Sequence, residues 1–106
     1  MNKVTAISPE EVPPHLHDLI PLAEMWAIRN NAAREERLET APREDLRRLA
    51  SVVKNRRSEI DHWLDSMPRD VSRWPKAAVD FLYLVKTWHE AACWISAEET
   101  PGHGPG

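Results

Sequence analysis

The stretch Pro75-Lys-Ala-Ala-Val-Asp-Phe-Leu-Tyr-Leu-Val-Lys-Thr-Trp-His-Glu-Ala-Ala-Cys-Trp-Ile-Ser-Ala97 decides the fold. On a helical wheel of about 100° per residue, Ala77, Phe81, Leu84, Val85, Ala91, Ala92 and Ile95 fall within about 60° of Trp88. An arc of that width is a complete core-facing surface. Pro75 suits a first helical position, since its missing N–H is one that helix starts leave unpaired. The pattern predicts a helix from there to about Ala97, with Lys86 and Glu90 turned to water. Apolar residues also lie outside the arc: Tyr83 and Trp94 on one flank, Leu82 and Cys93 on the other. Such a helix is either central to a bundle, contacted on several sides, or shows an aromatic flank to a partner.

Upstream, Pro68 and Pro75 bound a loop that carries Trp74. Before it, Pro42 marks a further helix start, with Glu44 and Asp45 near the positive end of its dipole. Leu46, Leu49, Ala50 and Val53 form the buried stripe. Ser58-Glu-Ile-Asp61 reads as a fresh capping box, so a break is expected there and a second helix through about Met67. One uninterrupted helix over 42–67 is the competing reading, because Ile60 and Leu64 roughly continue the stripe. Leu19, Leu22, Ala23 and Trp26 recur at helical spacing after Asp18, a good N-cap. Asn30-Asn31 reads as a break, followed by a short helix over Ala32–Leu38 with Arg34, Glu35, Glu36 and Arg37 on its solvated side. No segment alternates at period two, which makes the class all-α, a single bundle of four or five helices. Val12-Pro13-Pro14 predicts an extended arm over 1–17, the bundle over 18–98 and a disordered tail over 99–106.

Five tryptophans stand against one Phe and one Tyr. Trp26, Trp63 and Trp88 lie on stripes that a core explains, whereas Trp74 and Trp94 do not. A net charge of −3 over 106 residues provides no strong field for nucleic acid or a membrane surface. Nor does any run reach the roughly 18 apolar residues of a membrane span, and no leader pattern appears at the start. The single Cys93 fits a reducing cytoplasm.

Few patterns carry chemistry. His89 and Cys93, four apart, share a helix face as a dyad would, but a thiol late in a helix lacks the surroundings that activate it. His15 and His17 would share a side in extended backbone, without a third metal ligand close by. Asp61 and Asp65 share a face, yet the Glu-x-x-His element of di-metal bundles is missing. All three glycines lie in the last five residues, so no phosphate-cradling loop exists. The residues indicate no catalytic group, cofactor or metal site, and no enzyme. Residues 43–57 hold six basic side chains against two acids, a local +4. A nucleic-acid-associated regulator using this segment is the alternative to protein binding.

At Asp18-Leu-Ile-Pro-Leu-Ala-Glu-Met-Trp-Ala-Ile28 the chain resembles a group of short bacterial proteins that open with Leu-Ile-Pro-Leu-Ala-Glu-x-Trp. The likeness continues more weakly at Ala41-Pro-Arg-Glu-Asp-Leu46 and at Trp63-Leu64. It implies a small bacterial helical protein and brings no catalytic residues.

Elimination and composition together point to a protein-binding module. Its most concrete form is a toxin-neutralising immunity protein or adaptor that blocks a partner sterically. Trp74, Tyr83 and Trp94 are the expected anchors, with Arg47, Arg56, Arg57 and Glu90 setting orientation. A homo-oligomer that buries the extra flank of the last helix is compatible with the same pattern.

Overall fold

Proline and asparagine punctuate the chain into four α-helices, with no strand among residues 7–99, the part that the computed structural model describes. The helices are α1 (Ile20–Trp26), α2 (Asn31–Thr40), α3 (Arg43–Asp65) and α4 (Lys76–Glu99). Asn30 caps α2 by accepting from the Ala33 N–H at 2.8 Å. Ala41, held extended because a proline follows it, ends α2. The Pro42 carbonyl then accepts the Asp45 and Leu46 N–H groups in the first turn of α3. Asp70 and its Ser72 hydrogen bonds shape the loop between α3 and α4 into a short 3-10 turn over Val71–Arg73.

The expected break at Ser58 is absent, and α3 runs through it. Ion pairs bridge the supposed junction on the helix surface: Arg56 to Glu59 at 2.9 Å and Arg57 to Asp61 at 3.0 Å. Pairs three and four apart reward helical backbone. Leu46, Leu49, Val53 and Ile60 are all fully buried, so one straight stripe serves the whole length. A new cap at Ser58 would have surrendered backbone hydrogen bonds for nothing in return.

The stretch expected as an extended arm is wound instead into two 3-10 turns, Pro9–Glu11 and Pro14–Leu19, the second leading directly into α1. Prolines open both turns, where their fixed φ fits. Ile7, Val12, Leu16 and Leu19 go into the core, so the domain begins no later than Ile7 rather than at Asp18. The Glu11 carboxylate accepts from the Ala77 N–H at 3.0 Å and caps the start of α4 from a distance of 66 residues in sequence. Apart from Glu99, which ends α4, the expected tail lies outside the described residues.

Helix α4 is the central element, packed against α3, α1 and the first 3-10 turn. Ala77, Ala78, Phe81, Leu84 and Ala91 are buried along it, with Trp63 edge-on to Phe81 at 5.2 Å between ring centroids. The buried arc is centred nearer Leu84 than Trp88, and it takes in two polar residues. Thr87 satisfies its hydroxyl by donating to the Tyr83 carbonyl one turn back, at 2.9 Å. Asp80 is met by Arg29 at 2.8 Å and Lys76 at 3.2 Å. Trp26 is buried, while the other four tryptophans are half-buried; none is exposed.

Candidate functional site

Two open hollows lie along α4, and Glu90 borders both. The first, of about 440 Å³, is lined by Leu82, Tyr83, Val85, Lys86, His89 and Glu90 of α4 and by Arg57 of α3. The second, of about 390 Å³, sets Trp94 and Cys93 among three carboxylates: Glu35 and Glu39 from α2, and Glu90. Of the side chains expected at a partner surface, Tyr83, Arg57 and Glu90 meet at the first hollow, and Trp94 and Glu90 at the second. Arg47 lies exposed on α3, one turn beyond Arg43.

Trp74 and Arg56 stand apart from this surface. Trp74 lies before the start of α4, whereas Trp94 sits about 27 Å beyond Lys76 along the helix. The Trp74 indole N–H donates to the Pro68 carbonyl at 2.6 Å and closes the loop on itself. Arg56 donates to Asp18 at 2.6 Å, to Glu59 and to the His15 carbonyl, tying α3 to the second 3-10 turn. That hydrogen bond, with the positive charge beside it, lowers the Asp18 carboxyl below its usual value, and the same contact raises the Arg56 guanidinium. Both residues are used to hold the fold.

Arginines cover the rings on this surface. Arg29 lies over Tyr83 at 5.7 Å, Arg43 over Trp94 at 5.7 Å, Arg57 over Trp88 at 4.9 Å and Arg37 over Trp26 at 4.9 Å. Such contacts normally occur about once per 70–80 residues. Over the half-buried rings of Tyr83, Trp88 and Trp94 the guanidinium planes cover faces that the core does not enclose. The Trp88 N–H meanwhile donates to the Ala50 carbonyl at 2.9 Å and locks α4 to α3.

Arg34 corrects the reading of α2 as a helix with its charges in water. Only 2% exposed, it donates to the Ile28 carbonyl, to Asn31 Oδ1 and to Glu90 Oε1, the last at 3.1 Å. Glu90 in turn is half-buried rather than fully solvated, and its orientation is set from beneath. The sequence held one signal of this: Arg34 and Leu38 are four apart and share a face, and Leu38 is fully buried.

The residue patterns singled out for chemistry are not brought together. No hydrogen bond joins His89 to Cys93 among the described residues, and both are exposed. His17 Nε2 lies 3.0 Å from the Pro9 carbonyl and 2.9 Å from the Val12 carbonyl, pinning the first turn. His15 and His17 are in 3-10 rather than extended backbone, where residues two apart no longer share a side. Among the described residues no group of three or more His, Cys, Asp and Glu side chains can hold a metal ion. No described helix is long and apolar enough to cross a membrane. Compared with protein-family models, curated proteins and solved structures, the chain matches none.

Proposed function

We propose that the chain is a protein-binding module without catalytic activity, and that its surface is the open side of α4. One observation carries this reading: Tyr83 and Trp94, both expected as anchors, are half-buried and line two hollows that share Glu90 and are otherwise lined in part by charged side chains. Half-buried aromatic side chains held in place by their own protein lose little entropy when a partner covers them. Glu35 and Glu39 beside Trp94 favour a partner that offers basic side chains there. The most concrete form is a bacterial, cytoplasmic immunity protein or adaptor that neutralises a toxin by covering its working surface. The bacterial setting rests on the resemblance of residues 18–28, and the cytoplasmic one on the lone cysteine.

Segment 43–57 supports the nucleic-acid alternative less well than its charge suggests. Arg56 and Arg57 are paired with carboxylates and Arg43 lies over Trp94, so the +4 is not a free stripe that a phosphate backbone could follow.

The test is affinity purification of the tagged chain from its native cells, followed by reconstitution with the purified partner. Trp94→Ala and Tyr83→Ala are expected to weaken binding by about tenfold or more each, the effect of losing a hot-spot aromatic. Met25→Ala, at an exposed methionine on α1, serves as the control that leaves binding unchanged. Co-purification of no protein in stoichiometric amount, or full binding by both aromatic variants, rejects the reading.

A further inference from the structure

The groove beside Tyr83 differs from its neighbour in the kind of polar group it offers. Leu82 and Val85 give it an apolar part, and its volume of about 440 Å³ falls within the range of small-molecule sites. Tyr83, Lys86 and Glu90 follow one another at three and four residues along α4, and Leu82, Lys86 and His89 do likewise. These side chains therefore rise from one helix face. The Tyr83 hydroxyl, the Lys86 ammonium and the His89 ring make no hydrogen bond among the described residues. The one acid in the lining, Glu90, already has Oε1 committed to buried Arg34 at 3.1 Å, which offsets its charge. Arg57, also in the lining, is held by Asp61 and by the face of Trp88, which leaves Lys86 as the lining cation without an ion pair among the described residues.

The lining thus combines the apolar side chains of Leu82 and Val85 with water-facing donors and the Lys86 charge. A neutral apolar ligand entering the groove would strip water from the donors and return nothing to them, a net cost. A cation would meet the Lys86 ammonium. Only a ligand with an acceptor head and an apolar body satisfies both parts of the lining.

We propose that the Tyr83–Lys86–His89 groove binds a small organic acid, its carboxylate on Lys86 and His89 or Tyr83 and its hydrocarbon part on Leu82 and Val85. This site does not depend on the partner-protein reading. Its apolar side chains and its donors are all supplied by the chain itself, and the acid-lined hollow at Trp94 lies further along the same helix.

The experiment is an NMR titration of the isotope-labelled chain at constant ionic strength with 4-phenylbutyrate and with its neutral analogue, 4-phenylbutan-1-ol. The acid is expected to bind about tenfold or more tightly than the alcohol, with amide shifts confined to residues around 82–90 and 57. Lys86→Glu removes that preference, whereas Lys54→Glu, the same charge change on exposed α3, leaves it in place. Both positions are exposed, and an unchanged starting spectrum confirms that each variant is folded. Equal affinity for acid and alcohol, shifts scattered over the surface, or equal loss in both variants overturns the proposal. So does tighter binding of the blocked tripeptide acetyl-Leu-Glu-Leu-amide at the same amides, which would assign the groove to an acidic side chain of a protein partner.

Discussion

Arg34 shows how a single side chain can link fold and surface. Its guanidinium is almost fully enclosed, yet each bond it makes goes to a different feature: the Ile28 carbonyl after α1, Asn31 at the start of α2, and Glu90 on α4. Truncating one partner of a buried ionic network leaves the others unpaired. Arg34→Met is therefore expected to cost about 3 kcal/mol, read as a lowered urea midpoint with an unchanged slope. Adding Glu90→Gln to that variant is expected to restore part of the loss, because the stranded carboxylate is then removed. Asp18 gives a weaker, pH-dependent case. Its carboxyl is lowered by Arg56, so the contribution is present above the ordinary aspartate range and is lost as pH falls through the depressed folded value. Since the Asp18 side chain is 64% exposed, solvent screening keeps the effect below about 1 kcal/mol. Asp18→Asn is expected to be slightly less stable than the parent chain at pH 7 and equal to it near pH 2, a difference that paired denaturant curves at the two values resolve.

At the scale of elements, α3 and α4 were legible in different ways. Proline positions placed both starts, and three- and four-residue spacing placed the apolar stripes, because both signals are local. What the sequence left ambiguous was whether a good capping box overrides a continuing stripe. At Ser58 the stripe prevails: Ile60 is fully buried, and side-chain pairs span the junction. The two readings differ sharply for Glu59→Pro. Were Ser58 an N-cap, proline next to it would occupy the first helical position at little cost. Inside the continuous helix it removes a hydrogen bond and clashes with the preceding turn, so the variant is expected to lose about 3 kcal/mol or more, with reduced helical ellipticity. Full stability of Glu59→Pro would contradict the continuity of α3. On α4, meanwhile, the wheel identified Phe81 and Leu84 correctly but set Trp88 at the centre of the arc. The helix is enclosed on a broader front than one packing face, and Asp80 and Thr87 can be buried because Arg29, Lys76 and a backbone carbonyl satisfy them.

For the whole molecule, the least legible feature was the part that precedes α1. Three prolines within residues 9–14 argue against helix and in favour of an extended strand of chain, and no local signal says that such a segment is wanted elsewhere. The pull comes from distant residues. Helix α4 needs a cap that its own Pro75 and Lys76 cannot supply in full, and Glu11 provides it; α3 offers Arg56, and Asp18 meets it. The candidate surface was hidden in the same way, since Tyr83 and Trp94 were readable as surplus aromatics while the arginines laid over them come from the loop after α1 and from α3. Long-range pairing of this kind makes the first turns part of one cooperative unit. Leu16 tests that conclusion most directly: it is fully buried, although it lies inside the stretch that the prolines mark as an arm. If residues 7–17 only draped over a finished bundle, Leu16→Ala would unfold them locally and leave the main transition where it was. If they are core, the substitution leaves a cavity beneath α1 and is expected to cost about 2–5 kcal/mol of global stability. Hydrogen exchange separates the two outcomes: the protection of amides in the middle of α4 falls with Leu16→Ala only when the first turns and the last helix unfold together.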